Sequence, residues 1–441
     1  MDNIKFRLIV MNFLQFFIWG SWLITIGAYW FQTLPNLYPG IDENTGSSIW
    51  TGSAFGALFS TMGIASLFMP ALLGIIADKW INAEKLYGVC HILGAVVLFT
   101  LPLVKDPTTM FWVLLLNMMF YMPTLSLSIA VAYSALKKSG KDVVIDYPPI
   151  RVWGTIGFIV ALWVVSLLHI ETSAGQFYVA SIAALVLGFY AFTLPKCPPQ
   201  PDRVKSTSII GALGLDSLAL FKNRKMAVFF IFAMLLGAAL QLTNAYGDTF
   251  LHDFANVEEY KGMIAVKYPA IIMSISQISE TLFILAIPFF LKRFGIKKVM
   301  IISMFAWVLR FGLFAYGNPG DGLWMIILSC IVYGMAFDFF NISGSLFVET
   351  QSDASIRASA QGLFMMMCNG VGAILGSSIS GMVIEEFFTN ADRSKDWNGI
   401  WISFALYALA VGILFIIFFR HKHDPNAIGE THPESLLVTE K

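Results

Sequence analysis

Two carboxylates stand in stretches that otherwise exclude charge: Glu280 and Asp338 each have apolar neighbours for several positions on both sides. If those stretches cross a membrane, each carboxylate lies deep in the bilayer, where an ionised group costs about 2.5–3.5 kcal/mol on insertion scales and marks a functional site by default. A buried carboxylate needs a partner, water or a proton. Reversible proton binding is therefore the chemistry that these two residues offer. Asp248, Arg151 and Glu349 fall nearer the ends of apolar runs, from which they could simply reach polar headgroups. Arg310, between Trp307 and Gly312, is deeper but within snorkelling distance of an interface.

Other polar and aromatic residues accompany the carboxylates at helical spacing. Gln277 and Glu280 are three apart and share a helix face, as do Gln241 and Asn244. Tyr333 and Phe337 are four apart, with Asp338 next and Asn341 three beyond it, and Arg151, Thr155 and Phe158 occupy i, i+4 and i+7. Any single amide here could instead be interhelical glue, worth about 0.6 kcal/mol on average. Together the set suits a small, polar, neutral solute. Amides can read a heterocycle edge, carboxylates can accept from sugar hydroxyls, and the aromatic rings can stack on a planar base. Sugar carriers use the same groups, so at this point both substrate classes stay open.

What must position these residues is a set of membrane-spanning helices. The 441-residue chain is 57% hydrophobic and 13% charged, against roughly 25% charged in soluble domains. Apolar runs of about twenty residues, each able to span some 30 Å of hydrocarbon, recur throughout. We place spans at 6–32, 49–77, 85–104, 108–136, 150–169, 174–195, 226–250, 267–291, 297–316, 323–348, 357–387 and 398–420. The first is too long for a signal peptide and lacks a small-residue cleavage site. A β-barrel would need alternating ten-residue segments that are not present.

Counting basic residues orients the chain. With the N-terminus in the cytoplasm, 21 Lys and Arg fall inside, and Lys105, Lys261, Lys267, Arg393 and Lys395 fall outside; Arg151 and Arg310 at membrane depth complete the 28. Both termini are expected in the cytoplasm. Equal numbers of acidic and basic residues exclude a basic nucleic-acid footprint. Cys90, Cys197, Cys330 and Cys368 lack metal-ligand spacing and read as small buried residues. No metal, no cofactor and no nucleophile–base pair of an enzyme is expected.

The proline-rich stretch from Pro195 to Pro201 opens a connection that divides the spans six and six. The expected units are an N-terminal half at 1–195, a cytoplasmic linker at 196–225, a C-terminal half at 226–423 and a polar tail at 424–441. Within the linker, 209–221 is apolar but short, as expected of a segment lying on the membrane surface. The turns Gly74 to Lys79 and Lys292 to Lys298, at corresponding places after spans two and eight, resemble partial copies of the major facilitator superfamily signature.

Longer strings are more specific. Asp146 to Phe158, Leu240 to Asn244, Ser274 to Thr281, Tyr333 to Asn341 and the opening Phe13 to Trp22 resemble the bacterial nucleoside:proton symporter family of that superfamily, and the likeness runs to about His423. It implies an all-α membrane fold of twelve helices in two six-helix halves, and a central nucleoside site. On that resemblance the substrate-binding positions are Arg151, Thr155, Phe158, Gln241, Asn244, Gln277, Glu280, Tyr333 and Phe337, with Asp338 and Glu280 in proton coupling. Ala239 departs from the acidic residue expected beside the span-seven amides, and the loops after spans one, seven and eleven differ. The expected activity is proton-coupled nucleoside import by alternating access, by a monomer in the cytoplasmic membrane. A sugar or oligosaccharide symporter and a non-transporting nucleoside sensor are the alternatives.

Overall fold

The structure is a computed structural model that describes residues 3–41, 48–199, 215–352 and 357–421. Its elements are helical, and among the described residues β-pairing is confined to the isolated bridges Ile41–Ser48 and Thr389–Lys395. The first half comprises α1 (Asn3–Gly20), α2 (Gly52–Lys79), α3 (Ala83–Thr100), α4 (Pro107–Lys138), α5 (Val143–Leu167) and α6 (Gly175–Ala191). In the second half α7 (Arg224–Asp253) precedes a 48-residue helical run, Pro269–Tyr316, followed by α10 (Leu323–Gln351). Next comes α11, assembled from Arg357–Met365, a π-helical Met366–Gly372 and Ala373–Phe387, and last α12 (Trp397–Phe418).

Nine helices among the described residues are long and apolar enough to cross a membrane. The 48-residue run counts twice, because Gly295 breaks it with φ 75° and ψ 167°, backbone that glycine alone adopts readily. Its parts are α8 (269–294) and α9 (296–316). The shorter apolar α6 is an eleventh span. The twelfth is α1, which turns at 21–25 and continues through Ile26–Ala28 and a π-helical Tyr29–Thr33. Twelve helices in two halves follow, the fold that the apolar runs predict.

The most extensive contacts between the halves are α2 with α11 and α5 with α8, and Ile26–Ala28, the continuation of α1, also packs on α7. Shifting each number by six exchanges one pair for the other, which is the mark of a duplicated six-helix unit. Where α2 crosses α11 the backbones touch: a Cβ on Gly56 would collide with the Ser377 carbonyl. The helices α3, α6, α9 and α12 stand outside and expose large apolar side chains such as Phe99, Ile182, Phe305 and Ile417, as lipid requires.

Three expectations need correction. Helix α5 begins at Val143 rather than 150, with Asp146 in its first turn bound to Lys5 at 2.5 Å, so Arg151 lies two turns inside and not at a span end. Arg310 does not snorkel. It is 1% exposed, donates to the Ser329 carbonyl at 2.7 Å, and packs over the Tyr333 and Phe314 rings at 4.6 and 5.1 Å. Asp248 is fully buried instead of reaching a headgroup. Of the cysteines, Cys90, Cys330 and Cys368 are buried, whereas Cys197 is half-buried. The 209–221 segment lies partly outside the described residues, its described end forming a 3-10 helix at Leu215–Lys222, and the 424–441 tail lies wholly outside them.

Candidate functional site

Between the halves lies a cavity of about 410 Å³, within the ~300–1,000 Å³ range of small-molecule sites. Eight helices line it: α1, α2, α4 and α5 from the first half, and their counterparts α7, α8, α10 and α11 from the second. The wall therefore repeats the duplication of the fold.

From α5 come Arg151, Thr155 and Phe158, from α7 Gln241 and Asn244, from α8 Gln277 and Glu280, and from α10 Tyr333 and Phe337. The helical stripes read from the sequence thus converge from four helices on one space. Asp338 is not among the lining residues. It is 4% exposed, within electrostatic reach of Glu280, and its Oδ2 has no hydrogen-bond partner. The α8–α10 crossing sets this proximity, since Gly334 leaves room for the α8 backbone at Ser279 and Glu280, 2.7 and 2.8 Å from where a Cβ would stand. Asp338, one turn along α10 from Gly334, faces the same neighbour.

Across the cavity, Arg151 is within electrostatic reach of Glu280, one residue from each half. Its guanidinium packs over the Phe16 ring at 4.1 Å. On the opposite wall the Tyr333 and Phe337 rings are stacked, 5.8 Å apart and 8° from parallel, and Trp307 meets Tyr333 edge-on at 6.0 Å. This gives a preset aromatic surface. Several polar atoms of lining residues lack hydrogen bonds: Gln241 Oε1, the Tyr147 hydroxyl and Trp19 Nε1. Buried groups of this kind ask for a polar ligand or water.

The cavity is closed on the face away from the termini. There Gly52 N–H donates to Glu385 Oε2 at 2.5 Å, Trp163 Nε1 to Ser274 Oγ at 2.9 Å and Gln32 Nε2 to Asp253 Oδ1 at 3.2 Å, each joining the two halves. Toward the termini the lining continues to Ser128, Ile129 and Tyr147, nearer the terminal ends of α4 and α5.

The sequence pattern described as Nucleoside H+ symporter matches residues 1–424. The chain belongs to the nucleoside H+ symporter family. Among its relatives are the xanthosine permease of Escherichia coli, 54% identical over 97% of this chain and 98% of that protein, and the nucleoside permease NupG of the same organism, 50% identical over 96% and 97%. A crystal structure of the nucleoside transporter NupG superposes with a TM-score of 0.87 over 95% of this chain and 100% of that one. The symporter is accordingly a transporter and not an enzyme, with the major facilitator fold.

Trp19 and Tyr147 also line the symporter's cavity. Nothing in their spacing set them apart from packing aromatics. A further cluster lies outside the cavity, where Glu171, Asp248 and His252 each offer a ligand atom within 4.8 Å of the others. The expectation that no metal site exists rested on linear spacing, which cannot see residues that folding brings together.

Proposed function

We propose that this symporter imports nucleosides with protons across the cytoplasmic membrane, that the central cavity is the nucleoside site, and that the termini face the cytoplasm. The excess of Lys and Arg on the terminal side supports that orientation. In it, the closed face is external and the cavity opens inward. The chain works as a monomer in the bilayer, because the site is complete within one pair of halves.

The observation that carries the reading is the pairing of a flat aromatic surface, Tyr333 on Phe337, with unsatisfied polar atoms such as Gln241 Oε1 in the same cavity. A base stacks on the first and hydrogen-bonds to the second. Gln241, Asn244 and Gln277 read base edges, while Thr155 and Glu280 hold ribose hydroxyls. Arg151 and Glu280 lie on opposite halves, so a solute between them is felt by both, as alternating access requires. Asp338 carries the proton. Its Oδ2 lacks a donor and it faces the like charge of Glu280, so one proton removes a buried repulsion before the cavity closes dry.

Proteoliposomes loaded with uridine test this. Labelled uridine should exchange by counterflow, accumulate under an imposed pH gradient, and be displaced by other nucleosides but not by sugars. Displacement by disaccharides alone would assign the site to a sugar carrier, and binding without counterflow to a sensor.

A further inference from the structure

The closed face holds a charged cluster that the transport site does not use. Asp248 and His252 lie one turn apart on α7, and Glu171 reaches them from the α5–α6 connection of the other half. His252 Nε2 stands 3.0 Å from Glu171 Oε2 and 3.4 Å from Asp248 Oδ2. Glu171 is fixed by its other oxygen, which accepts the Ala270 N–H at 3.1 Å. Asp248 is 0% exposed, and neither of its carboxylate oxygens has a hydrogen-bond partner.

Two buried carboxylates aimed at one imidazole nitrogen need a positive charge among them, supplied by the imidazolium or by a bound metal ion. The two separations from His252 Nε2 are those of neighbouring ligands on one ion. Around a single ion with bonds of about 2.1 Å, neighbouring ligand atoms stand roughly 3.0 Å apart in octahedral and roughly 3.4 Å apart in tetrahedral geometry. A nitrogen beside two carboxylate oxygens suits zinc and its neighbours in the first transition row, whereas calcium and magnesium prefer all-oxygen shells.

We propose that Glu171, Asp248 and His252 form a divalent transition-metal site, best matched to Zn²⁺, which assembles only when this face is closed and thereby holds the two halves together. Opening the face carries Glu171 away from α7 and dismantles the site. An ion that binds one state and not the other shifts the population toward the state it binds. Zn²⁺ thus arrests the cycle with the cavity open toward the termini.

The test uses the full-length, chelator-stripped protein in detergent, titrated calorimetrically with ZnCl₂. One Zn²⁺ should bind per chain, and Glu171→Gln and His252→Gln should each weaken binding by at least about tenfold. Asp248→Asn, which keeps the side-chain volume, serves where either variant is not monodisperse. Absence of binding by the folded wild type overturns the site, and so does equal binding by the folded variants, the result expected if an imidazolium alone bridges the carboxylates. Electron-electron distance measurements between spin labels on the outer ends of α2 and α8 read the arrest. Zn²⁺ should collapse them onto the short-distance population, and an unchanged distribution with the metal bound would overturn that part. Neither readout depends on which solute is carried.

Discussion

Each half buries a polar centre, and the two centres differ in charge and in how fully they are hydrogen-bonded. In the first half Gln15 ties α1 to α3 and α4: its Oε1 accepts from the Tyr87 hydroxyl at 2.7 Å and meets His91 Nε2 at 2.9 Å, and its Nε2 donates to Thr124 Oγ1 at 2.8 Å. The Tyr121 hydroxyl closes the ring on the Gln15 carbonyl at 2.7 Å. This network holds no carboxylate, and each of these side chains has a partner. In the second half the buried polar groups include ions. Asp338 leaves an oxygen without a donor, and Arg310 is held by a carbonyl, a hydroxyl and two rings. A satisfied neutral network rigidifies, whereas an unsatisfied carboxylate answers to a proton or ligand. The transport machinery is thus divided: the first half supplies Arg151 beside a satisfied, neutral network, and the second supplies the cavity carboxylate Glu280 and its neighbour Asp338.

Four variants would sharpen or break that contrast. Asp338→Asn should have the largest effect, abolishing accumulation of labelled nucleoside under an imposed pH gradient while counterflow persists; full accumulation would move the proton site elsewhere. Glu280→Gln, which removes the charge facing Arg151, should weaken nucleoside binding by about 1.5–3 kcal/mol, measurable by titration calorimetry. In the first half, Gln15→Leu should act on stability and not on affinity. Leaving Tyr87 and His91 without their acceptor should cost about 1–3 kcal/mol, read as a lower thermal midpoint, with the nucleoside Kd unchanged. A changed Kd there would show that the halves are not so divided. The smallest effect is expected from Phe337→Ala, where losing the stacking surface should weaken nucleoside binding by about 0.5–1.5 kcal/mol, in a competition assay against uridine.

Much of the arrangement was legible in the linear chain because it depends on local spacing. Gln277 and Glu280, or Tyr333 and Phe337, share a helix face wherever the helices go, and nine of the residues named from the sequence line the cavity. The errors came where depth was counted along the chain. Arg151 and Asp248 read as lying near span ends and Arg310 as deep but within snorkelling reach, yet an early start to α5 and close neighbours on other helices bury or enclose them. Asp338 shows the same limit from the other side, since its helix presents it to α8 behind the cavity wall and not to the cavity itself.

Run length and helical period are properties of a single segment, so the membrane-spanning helices and the polar stripes on their faces follow from the linear chain. Which stripes meet, which face is closed, and that Glu171 joins Asp248 and His252 came from the packing of the helices. Those outcomes depend on how close two backbones can approach, as at Gly56 against Ser377 and Gly334 against Ser279, and on contacts between residues far apart in the chain.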